Sequence, residues 1–214
     1  MGIVNLALGF GAAYLLGSFP TGLIVGKVFF GRDPREGGSG ASGATNIFRQ
    51  FGAGAGAAVT IVDVAKGFLA VLACAALGGD EGLPDLPLKI AGALLAVLGH
   101  VYPIFAGFRG GKGIATGAGA LLTIAPGAVL YSAAGFLLVV GLTGIVSAGS
   151  IAAALILPFA VGFGAAGFPP SPWFLGFSSF LAAFVLFTHR ANIGRILKGR
   201  EKSFDALRFL RRKR

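Results

Sequence analysis

Residues 113–189 read GIATGAGALLTIAPGAVLYSAAGFLLVVGLTGIVSAGSIAAALILPFAVGFGAAGFPPSPWFLGFSSFLAAFVLFTH, with no Lys, Arg, Asp or Glu among them. A helix needs roughly 20 apolar residues to cross the hydrocarbon of a bilayer, so this stretch holds several crossings. Working outward, residues 1–26 are also uncharged, 51–78 contain only Asp63 and Lys66, and 88–106 contain only Lys89. Across all 214 residues, 55% are hydrophobic and the mean hydropathy is +0.84, which excludes an ordinary soluble domain. The same composition excludes disorder, collagen and a disulfide-rich secreted scaffold. Cys74 is the sole cysteine, so no intrachain disulfide and no Cys-rich metal site exist. No cation precedes the first apolar run, which therefore lacks the basic start of a cleavable signal and is expected to be retained.

The charges orient the spans. Ten of the eighteen Lys/Arg lie between Arg190 and Arg214, against Glu201 and Asp205, so the tail carries +8 of the net +10. Lys27, Arg32, Arg35 and Arg49 fall in 27–49, and Arg109 and Lys112 in 107–113, whereas 79–87 holds Asp80, Glu81 and Asp85 without a cation. The positive-inside rule places the three basic segments in the cytoplasm and the acidic loop outside. The tail reads as a leaflet-binding run rather than a nucleic-acid site. Phe168-Pro169-Pro170-Ser171-Pro172 breaks any helix, and one more crossing leads to the tail, so residues 114–167 must cross an odd number of times. The fold expected is an all-α integral membrane protein, a compact bundle of seven transmembrane helices with the N-terminus outside and the C-terminus cytoplasmic. The spans are 3–27, 53–78, 88–106, 114–130, 131–147, 148–166 and 173–189, with the internal boundaries of the long uncharged stretch near Pro126 and Ser147. Residues 1–189 form the bundle and 190–214 a basic tail. Glycines spaced by four, including Gly52/Gly56 and Gly113/Gly117, suit close helix packing, the role expected also of Gly141 and Gly149.

Three segments, all expected on the cytoplasmic face, mix glycine with hydroxyls, amides and cations. They are Gly37-Gly38-Ser39-Gly40-Ala41-Ser42-Gly43-Ala44-Thr45-Asn46-Ile47-Phe48-Arg49; Gly99-His100-Val101-Tyr102-Pro103 continuing to Phe108-Arg109-Gly110-Gly111-Lys112-Gly113-Ile114-Ala115-Thr116; and His189-Arg190-Ala191-Asn192-Ile193-Gly194-Arg195 with Glu201 beyond. Glycine lets successive N–H groups converge on one centre, hydroxyls add donors, and Arg or Lys adds charge. Helices are expected to begin near Thr45 and Ile114, and a helix N-terminus favours phosphate. Gly110-Gly111-Lys112-Gly113 is not a P-loop, because position 106 is Ala and Gly113 stands where Ser/Thr is needed. Metal-dependent phosphotransfer is disfavoured for want of clustered carboxylates. Phosphate binding by these loops is the preferred reading over packing.

These segments resemble the signature motifs of the bacterial acyl-phosphate-dependent glycerol-3-phosphate acyltransferases, the PlsY family. Gly17-Ser18-Phe19-Pro20-Thr21-Gly22 and Asp63-Val64-Ala65-Lys66-Gly67 resemble it too, so the likeness covers most of the chain. One departure is Ala41, where the family usually has Asn. The resemblance implies transfer of a fatty acyl group from acyl phosphate to the 1-hydroxyl of sn-glycerol 3-phosphate, giving lysophosphatidic acid and phosphate. This is the first acylation of phospholipid synthesis, carried out at the inner membrane without cofactor or metal. The implied partners are the two substrates and membrane lipids, and no nucleic acid.

By that resemblance Ser39, Arg49, Lys112, His189 and Asn192 are the catalytic candidates. Gly38, Gly40, Gly43, Thr45, Asn46, His100, Gly110, Gly111, Gly113, Thr116 and Arg195 are the substrate-binding ones, and Glu201 is structural. In physical terms Arg49 and Lys112 neutralise phosphate and stabilise developing charge, and Ser39 donates a hydrogen bond. His189 is either a general base or a positioning donor, and a substrate phosphate oxygen is the other proton acceptor. Asp63 and Lys66, three apart on a helix, read as an ion pair bracing the bundle. The competing class is a small transporter of an anionic phosphorylated solute, against which stands the placement of the polar segments on one membrane face.

Overall fold

The computed structural model describes residues 2–79, 85–164 and 171–204. Asp80 and Glu81 of the acidic loop, Phe168 to Pro170 of the proline-rich break, and the tail from Asp205 to Arg214 lie outside the described residues. All regular structure described is helical. The chain divides into two compact units, residues 1–124 and 125–214.

In the first unit, α1 (Gly2–Ser18) runs to Phe19-Pro20, then α2 (Thr21–Ile24) passes into a π-helical turn over Val25–Phe29. The short α3 (Ala44–Phe51) leads at Gly52 into α4 (Ala53–Gly78), then come α5 (Asp85–Val101) and α6 (Ile114–Leu122). These helices pack backbone to backbone at small residues. A Cβ on Gly17 of α1 would strike the backbone of Ala96 in α5, one on Gly67 of α4 the carbonyl of Thr116 in α6, and one on Gly119 of α6 the carbonyl of Val64 in α4. Between lipid-exposed helices, close van der Waals approach replaces hydrophobic collapse as the adhesive, and glycine permits it. Ala13, Ala70, Cys74, Leu88 and Ala96 form the buried seam joining α1, α4 and α5.

The second unit comprises α7 (Pro126–Thr143), α8 (Val146–Gly162), α9 (Pro172–Thr188) and α10 (Arg190–Leu197). Pro126 starts α7 at a position where a missing N–H costs nothing. Ser171 caps α9 by accepting from the Phe174 N–H, with Pro172 beside it at the first helical position.

Helices α4 and α9 run over nearly the same residues as the stretches 53–78 and 173–189. The boundaries expected near Pro126 and Ser147 fall where α7 and α8 begin, but the first break comes before the end expected at residue 130. The chain makes α6, breaks at Thr123–Ala125, and makes α7, because Pro126 cannot continue a helix hydrogen-bonded through its own nitrogen. Nine residues of α6 rise about 14 Å, less than half the hydrocarbon thickness. Among the described residues, Gly2–Phe29, Ala53–Gly78, Asp85–Ala106 and Pro126–Thr143 are long and apolar enough to cross a membrane. Helices α9 and α10, bent by 64°, make a fifth if taken together. That is fewer than seven, since α6 and the 17-residue α8 are short. Of the glycines spaced by four, a Cβ on Gly56 would strike Phe48 and one on Gly113 would lie 3.0 Å from Val97, whereas Gly52 faces open space. Gly149 does abut α7, where a Cβ would lie 2.9 Å from the Phe136 carbonyl oxygen, but Gly141 faces open space.

Candidate functional site

The first glycine-rich segment is a loop shaped by its own amides. Asn46, buried on α3, donates through Nδ2 to the carbonyls of Pro34 (2.8 Å) and Ala41 (2.7 Å), and its Oδ1 accepts from the Ser39 N–H (2.9 Å). Gln50, one turn on, donates to the Pro34 carbonyl at 2.9 Å. Gly38 and Gly40 take positive φ of 65° and 72°, and a Cβ on Gly38 would meet Asn46 Oδ1, so the turn needs glycine there. Ser39 and its flanking glycines are exposed, and Arg49 is half-buried. Asn46, expected at the substrate, has its amide engaged in the loop itself.

Asp33 and Arg35 carry no motif in the sequence, yet they anchor this loop. Arg35 Nη2 lies 2.7 Å from Asp33 Oδ2 and Nε 2.9 Å from Oδ1, while Nη1 donates to the Ala106 carbonyl at 2.8 Å. The side-chain bond from Arg35 outweighs burial and holds the Asp33 carboxyl well below the usual carboxylate range, and Asp33 in turn raises Arg35. The local signal was the Asp-Pro-Arg triplet, an Asx cap on the short turn Pro34–Glu36.

The second segment folds back on the end of α5. The Gly111 N–H donates to the His100 carbonyl and the Gly110 N–H to that of Val101, both at 3.2 Å. A Cβ on Gly110 would strike the His100 carbonyl and one on Gly111 the His100 ring at Nε2. The two loops meet: the Ser42 N–H donates to the Gly110 carbonyl at 3.4 Å, and Gly43 lies against Gly111. As the sequence suggested, a helix starts immediately after each loop, α3 at Ala44 and α6 at Ile114. Gly43 and Gly113 stand at their N-caps, and among the described residues no side chain caps either end. Two helix N-termini, Ser39, Arg49 and half-buried Lys112 thus sit on adjoining segments, an arrangement suited to oxyanions. Thr116, expected at the substrate, lies beneath the loop. It is fully buried, with Oγ1 3.0 Å from His100 Nδ1.

The third segment belongs to the second unit. His189 Nδ1 lies 2.9 Å from the Val185 carbonyl, which can only accept, so Nδ1 carries a proton, and in the neutral ring Nε2 holds the lone pair. Glu201 collects Asn192 Nδ2 (2.6 Å), Arg195 Nε (2.6 Å) and Ser147 Oγ (3.0 Å). Burial works to raise the Glu201 pKa, but these donors together outweigh it and the carboxyl titrates below its ordinary value. Asn192 and Arg195, expected at the substrate, therefore each make a strong bond to Glu201, the residue expected to be structural. Among the described residues, no three His, Cys, Asp or Glu side chains group as metal ligands.

The profile described as glycerol-3-phosphate acyltransferase matches residues 7–199. A glycerol-3-phosphate acyltransferase of Chlorobaculum parvum is 40% identical over 213 residues, covering 88% of this chain and 92% of that one. The crystal structure of PlsY (YgiH), an integral membrane glycerol 3-phosphate acyltransferase, superposes in its glycerol 3-phosphate form with a TM-score of 0.83 at 34% identity, over 97% of this chain and 99% of that one. Its lysophosphatidic acid form superposes with a TM-score of 0.78 at 33% identity, over the same shares.

Proposed function

The chain belongs to the glycerol-3-phosphate acyltransferase family, and from that premise we propose that it moves a fatty acyl group from acyl phosphate to the 1-hydroxyl of sn-glycerol 3-phosphate. The observation that carries this reading is the junction of two glycine loops at Ser42–Gly110 and Gly43–Gly111, each opening into a helix whose N-terminus no described side chain caps. Both substrates bear phosphate, and the related PlsY has been crystallised with glycerol 3-phosphate and with lysophosphatidic acid.

The hydroxyl oxygen attacks the acyl carbonyl carbon. A C–O ester bond forms, the carbonyl–phosphate C–O bond breaks, and inorganic phosphate leaves with the electron pair. Phosphate is a good leaving group from a mixed anhydride, so no covalent enzyme intermediate is needed. Arg49 and Lys112 offset charge on phosphate and on the carbonyl oxygen, each close charge pair being worth about 4 kcal/mol at an effective dielectric of 20. Ser39 donates a hydrogen bond, and the backbone of Gly110, Gly111 and Gly113 cradles glycerol 3-phosphate. His189 and Asn192 complete the site. The proton of the attacking hydroxyl goes to His189 Nε2 or to a substrate phosphate oxygen. Turnover of a His189→Gln variant near the wild-type rate assigns it to phosphate.

We place the protein in the inner membrane with both glycine loops and the basic tail cytoplasmic and the N-terminus outside, on the charge pattern, which requires an odd number of crossings. The decisive assay supplies purified protein in detergent with acyl phosphate and glycerol 3-phosphate, without nucleotide or added metal. Phosphate release with formation of lysophosphatidic acid is expected. Acylation only from acyl-CoA or acyl carrier protein overturns the donor.

A further inference from the structure

Beneath the two loops lies a set of buried polar groups with no part in the proposed chemistry. Lys66 Nζ on α4 is 2.9 Å from Asp63 Oδ1 and donates to the Phe19 carbonyl at 2.8 Å. Thr21 Oγ1 donates to the same Asp63 oxygen at 3.0 Å, and His100 Nδ1 lies 3.7 Å from it. Thr116 Oγ1 is 3.0 Å from His100 Nδ1. Asp63 is 2% exposed, Lys66 6% and Thr116 0%. Thr21, Ser42, Asp63, Lys66, His100 and Pro103 help line a cavity of about 10 Å³, room for one water molecule.

Ionisable groups inside a membrane bundle are costly and usually functional, and a bracing pair is the simplest account of them. Bracing alone leaves one arrangement unexplained: the network touches both loops. Gly22, next to Thr21, is so close to the Ser42 carbonyl that no Cβ fits between them. At the other end the His100 ring occupies the place a Gly111 Cβ would take, and the His100 carbonyl accepts from the Gly111 N–H. The contacts therefore flank the Ser42–Gly110 hydrogen bond on both sides.

We propose that Thr116, His100 and Asp63 form a positioning network that seats Gly111 against His100 and so fixes where Lys112 and the Gly110–Gly113 backbone meet the phosphate of glycerol 3-phosphate. Thr116 locks the rotation of the imidazole, Asp63 and Lys66 lock α4 to the turn at Phe19–Thr21, and the imidazole sets the height of the glycine loop. The inference rests on the phosphate-binding role proposed for that loop.

The test uses the full chain in detergent. Asp63→Asn strands the buried Lys66 charge and tests folding as much as position, so the decision falls to Thr116→Val, which removes one hydroxyl at constant shape, and Thr116→Ser, which keeps it. Loss of one buried hydrogen bond that orients a binding loop is expected to raise KM for glycerol 3-phosphate about tenfold in Thr116→Val. KM for acyl phosphate and kcat should stay within about twofold of wild type. Thr116→Ser should return KM for glycerol 3-phosphate to the wild-type value. A Thr116→Val protein that melts earlier with KM unchanged, or that loses affinity equally for both substrates, overturns the proposal. If the wild-type protein transfers no acyl group, the proposed function fails, and the network is then judged by calorimetric binding of inorganic phosphate. Binding about tenfold weaker in Thr116→Val supports positioning, equal binding overturns it, and a wild-type protein that binds no phosphate overturns both.

Discussion

Asn46 shows how a single amide serves several backbone groups at once. Its Nδ2 and Oδ1 reach the Pro34 and Ala41 carbonyls and the Ser39 N–H, so it ties the ends of the first glycine loop to the helix that follows. Removing one member of a buried network leaves the others unsatisfied, at about 1–3 kcal/mol per group. Asn46→Ala is therefore expected to cost about 2–4 kcal/mol in stability. It should also lower kcat/KM by about 100-fold, because Ser39 loses its fixed orientation. Thermal unfolding in detergent and steady-state kinetics would measure the two effects. The sequence marked Asn46 as a polar residue in a glycine-rich setting but did not say which way the amide turned. That depends on carbonyls up to twelve residues away, which only the closed loop brings within reach.

Helix packing rests on contacts rather than on spacing. Gly119 of α6 sits against the Val64 carbonyl and Gly67 of α4 against that of Thr116, so the two helices cross with their backbones nearly touching. Gly119→Val is expected to destabilise by about 1–3 kcal/mol through overpacking. Gly141→Leu, which faces open space, should stay within about 0.5 kcal/mol of wild type. Melting of the two variants side by side checks both. In the second unit, Glu201 ties Ser147 of α8 to Asn192 and Arg195 of α10. Its folded pKa lies below the ordinary value of 4.5, so its stabilisation is fully present above that pH and is lost as pH falls through the depressed folded pKa. Glu201→Gln should therefore melt earlier than wild type at pH 7, and the gap should narrow as the solution is acidified below about pH 4.5. A gap that is constant with pH would mean that the carboxylate charge contributes nothing.

For the molecule as a whole, charge placement is the guide to orientation. Lys27, Arg32, Arg109, Lys112 and ten cations beyond His189 stand against the acidic residues of 79–87. The positive-inside rule is the ground on which these are proposed to lie on opposite sides of the bilayer. With Cys74 buried, single cysteines introduced at Gly79, Arg109 and Lys198 serve as reporters. An impermeant thiol reagent outside spheroplasts is expected to label Gly79→Cys alone, and Arg109→Cys and Lys198→Cys only after permeabilisation. Labelling of Arg109→Cys from outside would invert the proposed orientation.

Composition by itself determined that this is a helical membrane protein, because no soluble core accommodates long uncharged stretches such as 1–26 and 113–189. Glycine mixed with Ser, Thr, Asn and Lys marked where anions are expected and where α3 and α6 begin, since cap and turn chemistry is local. Three matters were left to the folded chain. Pro126 marked a boundary in the sequence, but that α6 before it spans only Ile114–Leu122 is something hydropathy, averaged over a window, does not resolve. Asp33 and Arg35, ordinary surface charges by sequence, became the clamp between two loops through the Ala106 carbonyl. The pairing of buried Thr116 with His100 was not legible, because burial and partner choice depend on residues distant in the chain and near in space.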